Sequence, residues 1–127
     1  GVAPEDSANA ILVAGKAEPR SYAVCLLLAT CRLDVNGTVR KRLGARKASF
    51  AGIDETEEIT GMTVGGVTPF GLPGVVPVWI DAAVMERRTV VVGGGSRDRK
   101  LRLAPGGLLA IPSVEVVEGL ARPIPTD

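Results

Sequence analysis

Ala8-Asn-Ala-Ile-Leu-Val-Ala14 and Tyr22-Ala-Val-Cys-Leu-Leu-Leu-Ala-Thr30 are two apolar runs separated by the polar segment Gly15–Ser21. Runs of this length bounded by turn residues predict two buried strands joined as a hairpin. Downstream, Asp34-Val-Asn-Gly37 reads as a turn, Thr38–Leu43 as a short helix ending at Gly44, a plausible C-cap, and Lys47–Ala51 as a strand. Asp54 followed by Glu57 resembles a capping box and predicts a helix that stops at Gly61. Beyond it, Gly61-Met-Thr-Val-Gly-Gly-Val-Thr-Pro-Phe-Gly-Leu-Pro-Gly74 is too rich in Gly and Pro for a regular element.

The remaining segments alternate strands with short turns. Val76–Asp81 predicts a strand, Ala82–Glu86 a turn or single helical turn, and Arg88–Val92 another strand. Gly93-Gly94-Gly95-Ser96 forms a tight loop, Lys100–Leu103 a half-exposed strand, and Ala104-Pro105 opens a short helix. Ser113–Val117 is the last expected strand, and Arg122–Asp127 is expected as a tail. Strands outnumber helices without a regular βαβ period. The expected class is therefore α+β, a mixed sheet that curls toward a barrel and is flanked by short helices.

Composition narrows the chemistry. A chain of 127 residues is the size of one domain, taken as 1–127, and has no need of a metal or disulfide staple. Hydrophobic residues make up 46% and aromatics 3%, so few rings are available for stacking nucleobases. A formal charge of +1 argues against binding dominated by counterion release, although basic clusters occur at Arg40–Lys47, at Arg87 and Arg88, and from Arg97 to Arg102. As a strand, Cys25 to Cys31 spans about 20 Å, which excludes a disulfide within it; a reducing, cytoplasmic setting is expected. No run approaches the length of a membrane span and no signal-peptide pattern opens the chain. It begins at Gly1 without an initiator Met, so the N-terminus is expected to be trimmed, processed or incomplete.

The absence of histidine removes Ser-His and Cys-His mechanisms and the common zinc sites together. What remains is backbone donors, hydroxyls, Lys/Arg, carboxylates or the substrate itself. Gly61, Gly65, Gly66, Gly71 and Gly74 allow close backbone approach, Pro69 and Pro73 stiffen the segment, and Thr63 and Thr68 add hydroxyls. Such a segment is either a cradle for a carbonyl oxygen or oxyanion, or a structural turn. Asp81 is either a cap for the next turn or a pocket residue. Gly93–Gly95 with Ser96 and Arg97 is either a phosphate or ribose cradle or a hairpin loop.

Thr60-Gly61-x-x-x-Gly65-Gly66-x-x-Pro69-x-Gly71, then Val78-x-Ile80-Asp81, then Val92-Gly93-Gly94-Gly95, resembles the YbaK / prolyl-tRNA-editing family from about Ala8 to Leu109. The resemblance implies a trans-acting deacylase of mischarged aminoacyl-tRNA, using substrate-assisted hydrolysis with no cofactor and no metal. It assigns Gly65, Gly66 and Asp81 as catalytic and Asn9, Thr68, Pro69, Gly71, Gly93 and Gly94 as substrate-binding. It implies a pocket floored by Gly65–Pro69 and faced by Asn9 and Asp81. Its partners would be the 3′ end of aminoacyl-tRNA and an aminoacyl-tRNA synthetase, with neither membrane nor DNA. Two departures stand out: Asn9 falls where the family usually carries a lysine, and the family's first strand and helix are missing ahead of Gly1. A non-catalytic module that binds aminoacyl-tRNA or a synthetase is the alternative function, and a small partner protein with a vestigial pocket is a third.

Overall fold

Ala8–Gly15 forms β1 and Ser21–Leu28 forms β2, paired antiparallel from Ala8↔Leu28 to Gly15↔Ser21 as expected. The computed structural model describes residues 4–17, 19–73, 76–96 and 98–125. Around the hairpin, β4 (Ala48–Phe50), β5 (Val78–Asp81) and β8 (Val114–Val117) complete a five-stranded sheet of order β4-β1-β2-β5-β8. β4 runs antiparallel to β1, whereas β5 runs parallel to both β2 and β8, so the sheet is mixed. β6 (Val90–Gly93) and β7 (Lys100–Leu103) make a separate antiparallel hairpin, tied to the start of β1 by a parallel bridge between Ser7 and Val91.

β2 lies in the middle and is buried on both faces, which is why its sequence reads as a continuous apolar run rather than an alternation. Val24, Leu26 and Leu28 pack on one face with Leu12, Val78, Ile80, Val92 and Leu108. Ala23, Cys25 and Leu27 pack on the other with Val13, Trp79, Val117 and Leu120. Burial pushes the Cys25 thiol up to about 12, leaving it a packing group rather than a nucleophile. Both cysteines are free. Among the described residues, no helix is long and apolar enough to cross a membrane.

The helices are short: α1 (Arg40–Leu43), α2 (Ile53–Thr60) and α3 (Ala82–Met85), with a 3-10 segment at Pro105–Ala110. Gly44 (φ 67°) and Gly61 (φ 74°) end α1 and α2 in the left-handed conformation, where glycine carries no Cβ penalty. Three local expectations are corrected. The N-cap of α2 is Gly52, so Asp54 and Glu55 lie inside its first turn, favourable there against the helix dipole, and no capping box forms. A π turn at Val35–Val39 precedes α1; Asp34 accepts from the Thr38 backbone N–H (3.1 Å), which holds its carboxyl below the usual range. Ala121–Pro123, in the expected tail, instead forms β9 and pairs with β3 (Cys31–Leu33), placing Cys31 in a strand of its own beyond β2.

Candidate functional site

The outer edge of β1 changes neighbours along its length. β4 pairs with it from Val13↔Phe50 to Gly15↔Ala48, while β6 meets the chain at Ser7. Between them the edge is open. Leu12 O accepts from Ala51 N (2.9 Å) on that side and Ser7 O accepts from Ala29 N (2.7 Å) on the β2 side. By the two-residue alternation of a strand, the N–H and C=O of Ala10 point to the open side as well.

A cavity of about 390 Å³ lies against this edge. Its walls are Ala8–Leu12 of β1, Phe50 and Ala51 at the end of β4, Thr56 on α2, Val64, Gly65 and Val67 of the glycine-rich segment, and Gly93 and Lys100 of the β6–β7 hairpin. The first turn of α2 is held against the hairpin strands by Glu55, which accepts from Tyr22 Oη (2.6 Å) and pairs with Arg20 (2.9 Å). That anchor brings Thr56, itself buried, to the cavity wall.

Gly93 sets the opposite wall. A Cβ built there would lie 2.4 Å from Val67 O, closer than any real contact, so only glycine lets the 65–67 segment rest on the end of β6. Gly95 N donates to Gly66 O (3.0 Å) and Gly66 N to Thr63 O (2.9 Å), while Gly65 takes φ 89°. Val67 is buried, and the amides of Gly65 and Val67 donate to nothing among the described residues. A buried residue whose amide lacks a protein partner is uncommon; here buried Val67 and exposed Gly65 bring two uncommitted amides to one cavity.

Of the expected site residues, Asn9, Gly65 and Gly93 meet at this cavity. Gly66, Thr68, Pro69, Gly71 and Gly94 are not part of its wall. Gly66 ties the segment to the hairpin; Thr68 and Pro69 are buried behind it, the Thr68 hydroxyl accepting from Phe70 N (3.4 Å); Gly71 is exposed with φ 70°. Gly94 N donates to Arg99 O (2.9 Å) and Arg99 N to Ser96 O (3.2 Å), so the Gly93–Ser96 loop is a hairpin turn with its Gly94 and Gly95 amides already committed. Gly74 and Arg97 lie outside the described residues.

Asp81 is corrected outright: it is not in the cavity wall. It alternates onto the Trp79 face of β5, and its Oδ1 accepts from Ala121 N (3.1 Å) at the start of β9. Burial raises its carboxyl above the ordinary value, opposed by N–H groups of Ala121, Ala83, Leu120 and Ala82. Its role is to satisfy buried backbone where α3 and β9 converge. Sequence reasoning missed Phe50, Thr56 and Lys100. The sequence signal for Lys100 was its place in the basic cluster from Arg97 to Arg102 and at the start of a half-exposed strand. Among the described lining residues it is the sole charged one, with Asn9 and Thr56 the polar side chains.

A family model for the aminoacyl-tRNA editing domain matches residues 1–111. The chain belongs to that family. This editing domain is 30% identical over 82 residues to the uncharacterized protein YwhH of Bacillus subtilis (strain 168), a match spanning 65% of the chain and 52% of the relative, about half its length. Among solved structures it is similar to the hypothetical protein APE2540, with a TM-score of 0.83 at 24% identity over 96% of this chain and 78% of that one. It is also similar to a structure described as a proposed trans-editing enzyme for prolyl-tRNA synthetase: TM-score 0.79, 26% identity, covering 93% of this chain and 72% of that one. The resemblance read from the glycine motifs and the mixed α+β fold are both borne out.

Proposed function

We propose that this editing domain is a trans-acting deacylase in the cytoplasm, receiving the aminoacylated 3′ end of tRNA in the cavity beside β1. The observation that carries this reading is the pair of uncommitted amides at Gly65 and Val67 on the wall of a largely apolar cavity. In hydrolysis, water oxygen adds to the ester carbonyl carbon and the carbonyl oxygen takes up negative charge. The ribose oxygen then leaves with a proton and the free amino acid departs. Donors aimed at the developing oxyanion act on that step, and each is worth about 10²–10³ in rate. The apolar walls from Ala8 to Leu12, with Phe50 and Val67, would hold the aminoacyl side chain, and the Asn9 amide would orient the ester or ribose. Because the chain has no histidine, the proton is handled by water and the vicinal ribose hydroxyl of the substrate.

The test is release of amino acid from a panel of mischarged tRNAs. The expected result is accelerated release for at least one pairing, over a protein-free control. No acceleration across the panel would overturn the reading. A second reading, a non-catalytic module that binds aminoacyl-tRNA or a synthetase, is favoured by one observation: no carboxylate, thiol or imidazole lines the cavity among the described residues. Binding of an aminoacyl-adenosine analogue without turnover would select it.

A further inference from the structure

We propose that the outer face of β7, carrying Lys100 and Arg102, is the track on which the single-stranded 3′ end of an RNA lays its phosphates on the way into the cavity. This deepens the proposed function and rests on it for the identity of the RNA. The β6–β7 register places Lys100 opposite Gly93 and Arg102 opposite Val91. Cross-strand partners share a face, and the direction of a Gly93 Cβ is toward Val67. Lys100 therefore stands beside the 65–67 segment, at the cavity, and Arg102 follows it two residues out, about 6.6 Å along the same face.

The charge there is available. Arg20, Arg42, Arg87 and Arg122 are paired with Glu55, Glu115, Asp6 and Asp34, and the Arg40 guanidinium donates to the carbonyls of Asn36 and Ala45. Lys100 and Arg102 are exposed and have no carboxylate partner among the described residues; the nearby acid in sequence, Asp98, sits at the hairpin turn. A second set of exposed, unpaired cations, Lys16, Lys41, Arg46 and Lys47, lies elsewhere, beyond the Gly15↔Ala48 pair where β4 closes the edge of β1. Arg32, Arg88 and Arg99 are also exposed with no carboxylate partner among the described residues; of all these cations only Lys100 lines the cavity, and Arg102 shares its strand face. An exposed lysine at the rim of an apolar cavity suits an anion that keeps part of its hydration, as a phosphodiester does. The competing explanation is that β7, an edge strand, carries cations only to discourage edge-to-edge pairing.

The experiment measures binding of a short single-stranded RNA ending in CCA across about 50 to 200 mM salt. Two phosphate contacts at about −0.7 each predict a slope near −1.4 in log affinity against log salt, an affinity loss of about sevenfold over that range. The double variant K100Q/R102Q should bind about tenfold more weakly at the low end and become nearly salt-independent. The triple variant K41Q/R46Q/K47Q should keep the wild-type affinity and slope. An unchanged slope in the β7 variant, loss of the slope in the control variant, or no RNA binding at low salt would each overturn the proposal. Hydrolysis of aminoacyl-adenosine, which carries no phosphate, reads the proposed function separately. Activity there with β7-independent RNA binding removes the track alone. β7-dependent RNA binding with no ester hydrolysis removes the deacylase alone.

Discussion

The two halves of the outer edge of β1 share one strand and differ in what covers them. From Val13 to Gly15 the edge is closed by β4, and Val13 and Ala14 are fully buried. From Ala8 to Leu12 it faces the cavity, with Asn9 exposed and Ala10 and Ile11 only partly buried. The closed half spends its backbone groups on the sheet. The open half keeps those of Ala10 unspent and faces the unspent amides of Gly65 and Val67. A ligand can compete only where the fold has left donors and acceptors without partners, so the site sits where a strand passes from one neighbour to the next.

The largest effect should come from closing the gap between the 65–67 segment and β6. Gly93→Val places carbon atoms inside the contact radius of Val67 O, so the segment must lift. The expected loss is about 3 kcal/mol of stability by urea unfolding, with ligand binding abolished in the fraction that folds. Binding at wild-type affinity in a folded Gly93→Val protein would show that the 65–67 segment does not form the site.

Next come paired substitutions on the two halves of β1. Val13→Ala deletes methyls buried in the second core layer and should cost about 2 kcal/mol of stability without changing ligand affinity. Asn9→Ala removes an exposed amide and should cost under about 0.5 kcal/mol, while weakening ligand binding several-fold. If the two swap effects, the open and closed halves have been assigned the wrong way round.

Much of this was legible in the sequence. The hairpin could be read because burial on both faces of β2 demands an unbroken apolar run, and Gly44 and Gly61 could be read because helix ends favour left-handed glycine. Gly65 and Gly93 were each legible as glycines of a Gly-rich segment, and at Gly93 the reason is close backbone approach, which leaves a visible mark in the absence of a side chain. Asp81 misled for the opposite reason. An aspartate ending a strand looks the same whether it faces a ligand or a backbone amide, and its partner Ala121 is 40 residues away. Lys100, Thr56 and Phe50 reach the cavity through pairings between distant segments, which no local pattern encodes. β9 was missed because Pro123 at its end and Pro125 just beyond mark a tail unless the partner strand β3 is known.

A smaller effect sharpens the same contrast at Asp81. Asp81→Ala leaves the buried Ala121 N–H without its acceptor and should cost about 1–3 kcal/mol, with ester hydrolysis per folded molecule unchanged. A fall in turnover with no loss of stability would instead return Asp81 to the chemistry.

The most direct measurement is amide chemical-shift mapping with a non-hydrolysable aminoacyl-adenosine amide. The account predicts that the resonances of Ala10, Gly65, Val67 and Gly93 move together, while those of Val13, Asp81 and Ala121 stay in place. Shifts centred instead on the second cavity, of about 450 Å³ and lined by Arg20, Tyr22 and Pro73 among others, would contradict it.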